Sequence, residues 1–185
     1  MASMLIADSG STKTEWCWVD GSKKSKVSTQ GLSPYFLTQT QVEHILQKEL
    51  LPKLKKNQPQ KIFFYGTGCS NPDNVKMMKR ALSNTFKAAK VFVDHDLMGA
   101  ARALCWHEKG VACILGTGSN SCYFNGKKII KNSPGLGYAL GDEGSGAYLG
   151  KKVLQHFLYD TFDPDLMDRF KMKYNIVITD VLDNV

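Results

Sequence analysis

Four short stretches of this 185-residue sequence carry residue types that could do chemistry. Asp8-Ser9-Gly10-Ser11-Thr12-Lys13-Thr14 sets small residues where backbone amides can turn toward an anion, with hydroxyls and one lysine around them. That is the composition of a phosphate-cradling turn. It is also the composition of an ordinary hairpin turn, so the stretch alone leaves both open. Asp8, at a strand end, can hold a metal ion through water, as magnesium prefers. Gly116-Thr117-Gly118-Ser119-Asn120 repeats the strand, small-residue turn and strand. Two such hairpins facing one another could clamp a polyphosphate from both sides. Neither turn has the GxxxxGK pattern followed by Ser or Thr of a P-loop, and neither has the GxGxxG of a dinucleotide-binding turn.

The third stretch, Val93-Asp94-His95-Asp96-Leu97, puts two carboxylates and a histidine at the junction of a strand and a helix. A hydroxyl attacking a γ-phosphoryl group needs a carboxylate beside it, and Asp94 or Asp96 can be that base. Either can equally serve as a helix cap, and His95 reads as structural. The fourth, Gly135-Leu136-Gly137-Tyr138-Ala139-Leu140-Gly141-Asp142-Glu143-Gly144-Ser145-Gly146, holds two acidic residues in a glycine-rich loop before a helix. Such residues can accept hydrogen bonds from substrate hydroxyls, or cap the helix and open its first turn.

The elements that must position these stretches follow from periodicity. Met4 to Ala7 and Thr14 to Val19 form a hairpin, with a third strand near Lys26 to Gln30. Val42, Ile45, Leu46 and Leu50 fall at helical spacing between Thr40 and Leu54, and Pro52 marks the end. Ile62 to Tyr65 is a strand. Asn71-Pro72 caps and opens a helix through Leu82. Val91 to Val93 is a strand and Leu97 to Trp106 a helix. The strand, turn and strand then begin again at Ala112 to Leu115 and Ser121 to Phe124, followed by a strand at Lys127 to Ile130. This echo predicts a domain over residues 4–110 and the start of a second, similar one over 111–185. The loop from Pro134 to Gly146 leads into helices at Ala147 to Leu158 and after Asp163-Pro164, and Thr179 reads as the cap of one more. A helix stopped so soon after its cap is marginal. The expectation is a truncated second domain that holds ATP weakly by itself and leaves apolar groups such as Ile176, Val177, Val181 and Leu182 uncovered.

Composition narrows the classes. No stretch approaches the roughly 18 consecutive apolar residues of a membrane span, and the start lacks a basic and apolar leader. Cys17, Cys69, Cys105, Cys113 and Cys122 form no CxxC pair, which fits a reducing cytosol. The net charge of +7 comes from scattered lysines, since only Arg80, Arg102 and Arg169 of the 24 basic residues are arginine. Nucleic-acid grooves favour arginine forks. Neither a nucleic acid nor a membrane is expected as a partner.

Over about residues 4–160 the sequence resembles the actin-like ATPase superfamily, and within it the N-acetylglucosamine kinase and BadF/BadG/BcrA/BcrD ATPase family. DSGSTKT, ILGTGSNS and GLGYALGDEGSGAYLG carry the resemblance. It implies an α/β fold of ribonuclease-H-like domains, ATP and magnesium as cofactors, and phosphate transfer to the 6-hydroxyl of N-acetylglucosamine in the cytoplasm. On that mapping Gly10, Ser11, Thr12, Lys13 and Thr14 form the first phosphate loop, with Asp8 at the metal. Gly116, Thr117, Gly118 and Ser119 form the second. Asp96 is the base and a sugar contact. Ser33, Asn120, Gly135, Leu136, Gly137, Asp142 and Glu143 complete the sugar site. Such kinases often carry asparagine in the segment that here reads Gly31-Leu32-Ser33-Pro34-Tyr35, and Leu136 stands where some relatives have tryptophan. The adenosine-contacting glycines belong to a later segment, and any self-association is expected to be a homodimer.

Two other functions compete. An ATPase activator or nucleotide-gated partner binder of the same superfamily would need a glycine-framed cysteine pattern that is not seen here. A ribonuclease-H-like nuclease would place Asp8, Asp94 or Asp96, and a helix glutamate such as Glu43 around two metal ions, and would leave the second turn without a role.

Overall fold

Alternation along the first strands decides which side of the main sheet becomes the interior. The computed structural model describes residues 2–55, 58–133 and 135–183; Pro134 and the side chain of Leu182 lie outside the described residues. Strands β1 (Met4–Ser9), β2 (Lys13–Asp20), β3 (Lys23–Gln30), β4 (Lys61–Gly66) and β5 (Lys90–His95) form one sheet in the order β3-β2-β1-β4-β5. The β1–β3 meander is antiparallel. β4 and β5 run parallel to β1.

One face of this sheet sends Leu5, Ala7, Trp16, Ile62 and Phe64 into a core with no exposed surface. The Trp16 indole needs a partner when buried, and its Nε1 donates to Thr29 Oγ1 at 3.1 Å. Two helical segments cover this face. Thr38 and Gln41 cap α1 (Gln39–Ile45) reciprocally. The helix then widens into one π-helical turn, Leu46–Leu50, ending before Pro52. That wider turn lets Ile45, Leu46 and Leu50 all reach the core. Asn71 caps α2 (Pro72–Thr85), accepting from Asp73 N–H at 2.8 Å.

The other face, with Ile6, Asp8, Phe63, Tyr65, Phe92 and Asp94, carries α3 (Asp96–Cys105), which follows β5 without a connecting loop. Gly99 makes the close approach possible, since a Cβ there would lie 2.8 Å from Tyr65 Cγ. Register aligns Asp8, Tyr65 and Asp94 across β1, β4 and β5, just inside the carboxyl ends of the parallel strands. That edge is where open α/β sheets bind ligands.

A second sheet has the order β6-β7-β8, from β6 (Lys109–Leu115), β7 (Ser119–Asn125) and β8 (Ile129–Asn132). The third strand begins later than Lys127. Asn125 Oδ1 accepts from the Lys127 and Lys128 amides at 3.0 and 2.9 Å, which keeps both residues in the turn. The chain divides into two compact units, Met1–Cys113 with Ser121–Asn132, and Ile114–Asn120 with Ser133–Val185. In the second unit, the glycine-rich loop contains the single-turn α4 (Gly137–Leu140) and leads into α5 (Gly146–Leu158), capped by Ser145. Then come α6 (Pro164–Tyr174), capped by Asp163, and α7 (Ile178–Leu182). The last helix starts ahead of Thr179, with Val177 N–H donating to Asp180 Oδ2 at 2.9 Å. Phe157 and Met167 are buried here, and Phe157, Phe162, Phe170 and Tyr174 pack ring against ring. Val177 is exposed, while Ile176 and Val181 are partly covered. Among the described residues no helix is long and apolar enough to cross a membrane.

Candidate active site

Pairing of β1 with β2 ends at Ser9 and Thr14, and Gly10 N–H closes the turn onto the Lys13 carbonyl at 2.9 Å. Ser9 continues the inward face of Leu5 and Ala7. It is buried with Thr14, their hydroxyls 2.7 Å apart, and Ser9 Oγ also accepts the Leu32 N–H at 3.2 Å. Thr14 therefore anchors the turn from inside, while Gly10, Ser11, Thr12 and Lys13 lie exposed above it. The end of β3 presses on the same turn. A Cβ on Gly31 would sit 2.2 Å from the Ser11 carbonyl oxygen, so the approach requires glycine. The Lys13 ammonium pairs with the Glu15 carboxylate, holding that carboxyl below its usual range. So exposed a pair contributes little and can be exchanged for another anion.

Ser33 lies two residues beyond Gly31 and is 1% exposed, yet its Oγ has no hydrogen-bond partner among the described residues. A buried hydroxyl left unpaired is destabilising, so it is a natural acceptor or donor for a bound group.

The carboxylates divide into distinct roles. Asp94 Oδ2 lies 3.5 Å from Arg102 Nη1, which also donates to Tyr65 Oη at 3.0 Å, and Asp94 Oδ1 accepts the His95 N–H at 3.0 Å. Asp94 is thereby engaged on both oxygens. Asp96 begins α3, accepts the Leu97 N–H on Oδ1 at 2.8 Å, and has no ion pair among the described residues. Partial burial, then the negative charges of Asp96 and Glu15, push the Asp8 carboxyl above the ordinary aspartate value. Behind them, burial and the charges of Asp96 and Asp94 push the Cys69 thiol up to about 12, so it is no nucleophile. Glu43 Oε1 accepts from Gln39 and Asn84 on the α1–α2 face, across the sheet from Asp8. No group of three or more His, Cys, Asp or Glu side chains suited to a metal ion occurs among the described residues.

In the second unit, the turn after β6 is tied to the start of α5. Gly116 N–H donates to the Gly118 carbonyl at 2.9 Å, and Gly146 and Ala147 donate to the carbonyls of Gly116 and Thr117 at 2.8 and 3.2 Å. Asp142 Oδ1 accepts the Ser119 N–H at 3.2 Å. Gly135 lies beside Ser119, where a Cβ would be 3.8 Å from its carbonyl oxygen. Leu136 backs onto Gly141 instead, and Gly137, with φ of +73°, starts the single turn between them. Leu136, Gly137 and Glu143 are exposed, and Asn120 is half-buried on β7.

ATP and magnesium fit these residues in chemical terms. A Cβ on Gly116 would meet nothing within 4 Å, so the turn is sterically open on that side. Ser33 Oγ is an orphaned buried polar atom, and a divalent cation would relieve the repulsion between Asp8 and Asp96. Sequence reasoning placed Ser9 in the first turn but not as its buried anchor, and missed the roles of Gly31 and Arg102. Ser9 had a signal in the pleat of β1 and Gly31 as the glycine closing β3; Arg102 had none.

No family model matches the chain, and no curated protein does. Among solved structures, a candidate N-acetylglucosamine kinase from Porphyromonas gingivalis is 38% identical, with a TM-score of 0.92 over 97% of this chain and 65% of that protein. A candidate N-acetylglucosamine kinase from Chromobacterium violaceum is 18% identical, with a TM-score of 0.63 over 92% of this chain and 63% of that one. A hexokinase of the ROK family from Thermus thermophilus is 17% identical, with a TM-score of 0.55 over 90% and 71%. The chain thus spans just under two thirds of the first two proteins. With the β3-β2-β1-β4-β5 sheet, these likenesses establish an actin-like ATPase fold of the sugar-kinase kind.

Proposed function

We propose that this chain carries phosphate-binding and acceptor-binding parts of a cytoplasmic ATP-dependent sugar kinase. Its expected acceptor is the 6-hydroxyl of N-acetylglucosamine, and it is assigned to the N-acetylglucosamine kinase and BadF/BadG/BcrA/BcrD ATPase family. One observation carries this reading. An exposed glycine turn, Gly10 to Lys13, rests on a buried Ser9–Thr14 pair at the carboxyl edge of parallel strands, and the same edge presents Asp96, which has no ion pair among the described residues. The identity of 38% to a candidate N-acetylglucosamine kinase supports the amino-sugar acceptor. Because the chain spans 65% of that protein, the full activity is assigned to the natural protein that contains it.

When bound, ATP with magnesium supplies the transferable phosphoryl group and neutralises its charge. Asp8 would hold the metal. The turn that the Gly10 amide closes would present the amides of Ser11 to Lys13 to phosphate oxygens, with the Lys13 ammonium released from Glu15. Thr14 acts through the backbone it fixes. Asp96 Oδ1 is held by the Leu97 amide, leaving Oδ2 to take the proton from the acceptor hydroxyl. Ser33 Oγ offers the acceptor a buried hydrogen bond. In the second unit, Gly116 to Ser119 form another phosphate seat, and Asn120, Gly135, Leu136, Gly137, Asp142 and Glu143 border an acceptor loop.

Asp96→Asn in the natural protein should lower transfer by about 100-fold or more, the scale of a lost general base, with ATP affinity nearly unchanged. Asp94→Asn should do much less, because Arg102 already occupies that carboxylate. The reverse order in a coupled ADP-release assay would refute the assignment.

A further inference from the structure

Asp142 joins the turn assigned to phosphate and the loop assigned to the acceptor. Its Oδ1 accepts the Ser119 N–H at 3.2 Å. A Cβ on Gly118 would lie 3.0 Å from Oδ2 and 3.1 Å from Oδ1, so the carboxylate lies flat against the backbone of the turn. The carbonyls of Gly116, Thr117 and Gly118 are already taken by amides of the turn and of α5. With the Gly116 amide spent on the Gly118 carbonyl, what the turn has left to offer an anion is the amides from Thr117 to Ser119, and a carboxylate holds that of Ser119. The local backbone accommodates this placement. Asp142 has φ of +60°, a left-handed conformation that Asp and Asn tolerate better than most residues. Its own carbonyl is fixed by the Ser145 N–H at 3.0 Å.

We infer that the Asp142 carboxylate is an internal occupant of the second phosphate seat, which an incoming nucleotide phosphate displaces and thereby releases toward the acceptor's hydroxyls. The inference rests on the phosphate reading of Gly116 to Ser119. One amide proton cannot serve two anions at once, and two negative charges a few ångströms apart repel. While it lies on the turn, with Oδ1 on the Ser119 amide and Oδ2 against Gly118, the carboxylate has at most one oxygen to turn toward sugar hydroxyls, and full engagement of both oxygens requires it to leave. Phosphate and sugar therefore compete with, and relieve, a single shared contact. Linkage makes the effect mutual, so a sugar that draws Asp142 away tightens phosphate binding by the factor that phosphate tightens sugar binding.

The test uses inorganic tripolyphosphate without metal, titrated calorimetrically into this chain and two variants. Asp142→Asn suits the left-handed backbone and keeps an acceptor oxygen for Ser119 while removing the charge. Asp142→Gly suits the backbone and removes the acceptor as well. Both should bind tripolyphosphate about tenfold more tightly at low salt, with the gain shrinking as salt rises. Hydrogen exchange in the free proteins should show the Ser119 amide protected in the native chain and in Asp142→Asn, and unprotected in Asp142→Gly. Equal or weaker binding by both variants, with unfolding temperatures near native, would overturn the competition while leaving the phosphate seat standing. An unprotected Ser119 amide in the native chain would overturn it too. Tripolyphosphate bound by none of the three would remove the phosphate reading and this inference together.

Discussion

Gly31→Ala tests how the first turn is held. The added Cβ would lie 2.2 Å from the Ser11 carbonyl oxygen, 2.3 Å from its carbon and 2.6 Å from the Gly10 carbonyl oxygen. These are backbone atoms, so no side chain can swing aside. Carbon–oxygen contacts begin at about 3.3 Å, which means the turn and the end of β3 must part by about 1 Å. Gly31 has no left-handed φ, so the penalty is steric alone. Overpacking of this sort costs about 1–3 kcal/mol. At about 2–4 °C per kcal/mol for a chain of this size, the unfolding midpoint should fall by about 2–12 °C. A displacement of about 1 Å at a positioning turn lowers phosphoryl transfer by about 100-fold in the natural protein. Gly116→Ala is the control, since its Cβ meets nothing within 4 Å and stability should stay within about 0.5 kcal/mol. Circular-dichroism melts, with calorimetric titration of magnesium ATP, read both effects. Native melting and native ATP binding for Gly31→Ala would refute the reasoning that this glycine seats the turn.

Two further outcomes follow from titrating groups. The Asp8 carboxyl is raised above the ordinary value of 3.8, so its protonated form favours the fold; that contribution is full below 3.8 and is lost as pH rises through the raised value. Asp8→Asn, which never ionises, should therefore melt higher than the native chain at neutral pH and show no advantage below 3.8; a difference independent of pH in thermal melts would contradict this. Alkylation at mildly alkaline pH, followed by mass spectrometry, should label exposed Cys113 first and leave buried Cys69, whose thiol is pushed up to about 12, unlabelled until the chain unfolds. Early labelling of Cys69 would show that the loop after β4 opens.

Much of the first sheet was legible because its signals are local. The apolar run of β1, the Trp16 alternation, Asn71-Pro72 before α2 and the direct passage from β5 to α3 all appear in the structure. The turns were legible as glycine and serine composition, but composition does not say which side of the pleat a hydroxyl takes. Ser9 and Thr14 both face inward, and Thr14 is an anchor instead of an exposed donor. The widening of α1 follows from Ile45, Leu46 and Leu50 all needing the core, a demand that only packing reveals. β8 begins late because one carboxamide, Asn125, holds two amides in its turn. The contacts Arg102–Asp94 and Asp142–Ser119 left no trace in spacing, since each joins residues brought together by the fold.

Transfer of labelled phosphate is the most direct measurement of the central claim. The natural protein containing this chain would be incubated with magnesium, ATP labelled in its γ-phosphate and N-acetylglucosamine, and the sugar product identified by mass spectrometry and phosphorus NMR. The account predicts label on the 6-hydroxyl, ADP formed in proportion to sugar, loss of about 100-fold on Asp96→Asn, and no cutting of an RNA–DNA hybrid. ATP hydrolysis indifferent to every hexose offered, or metal-dependent cleavage of the hybrid without ATP, would contradict it.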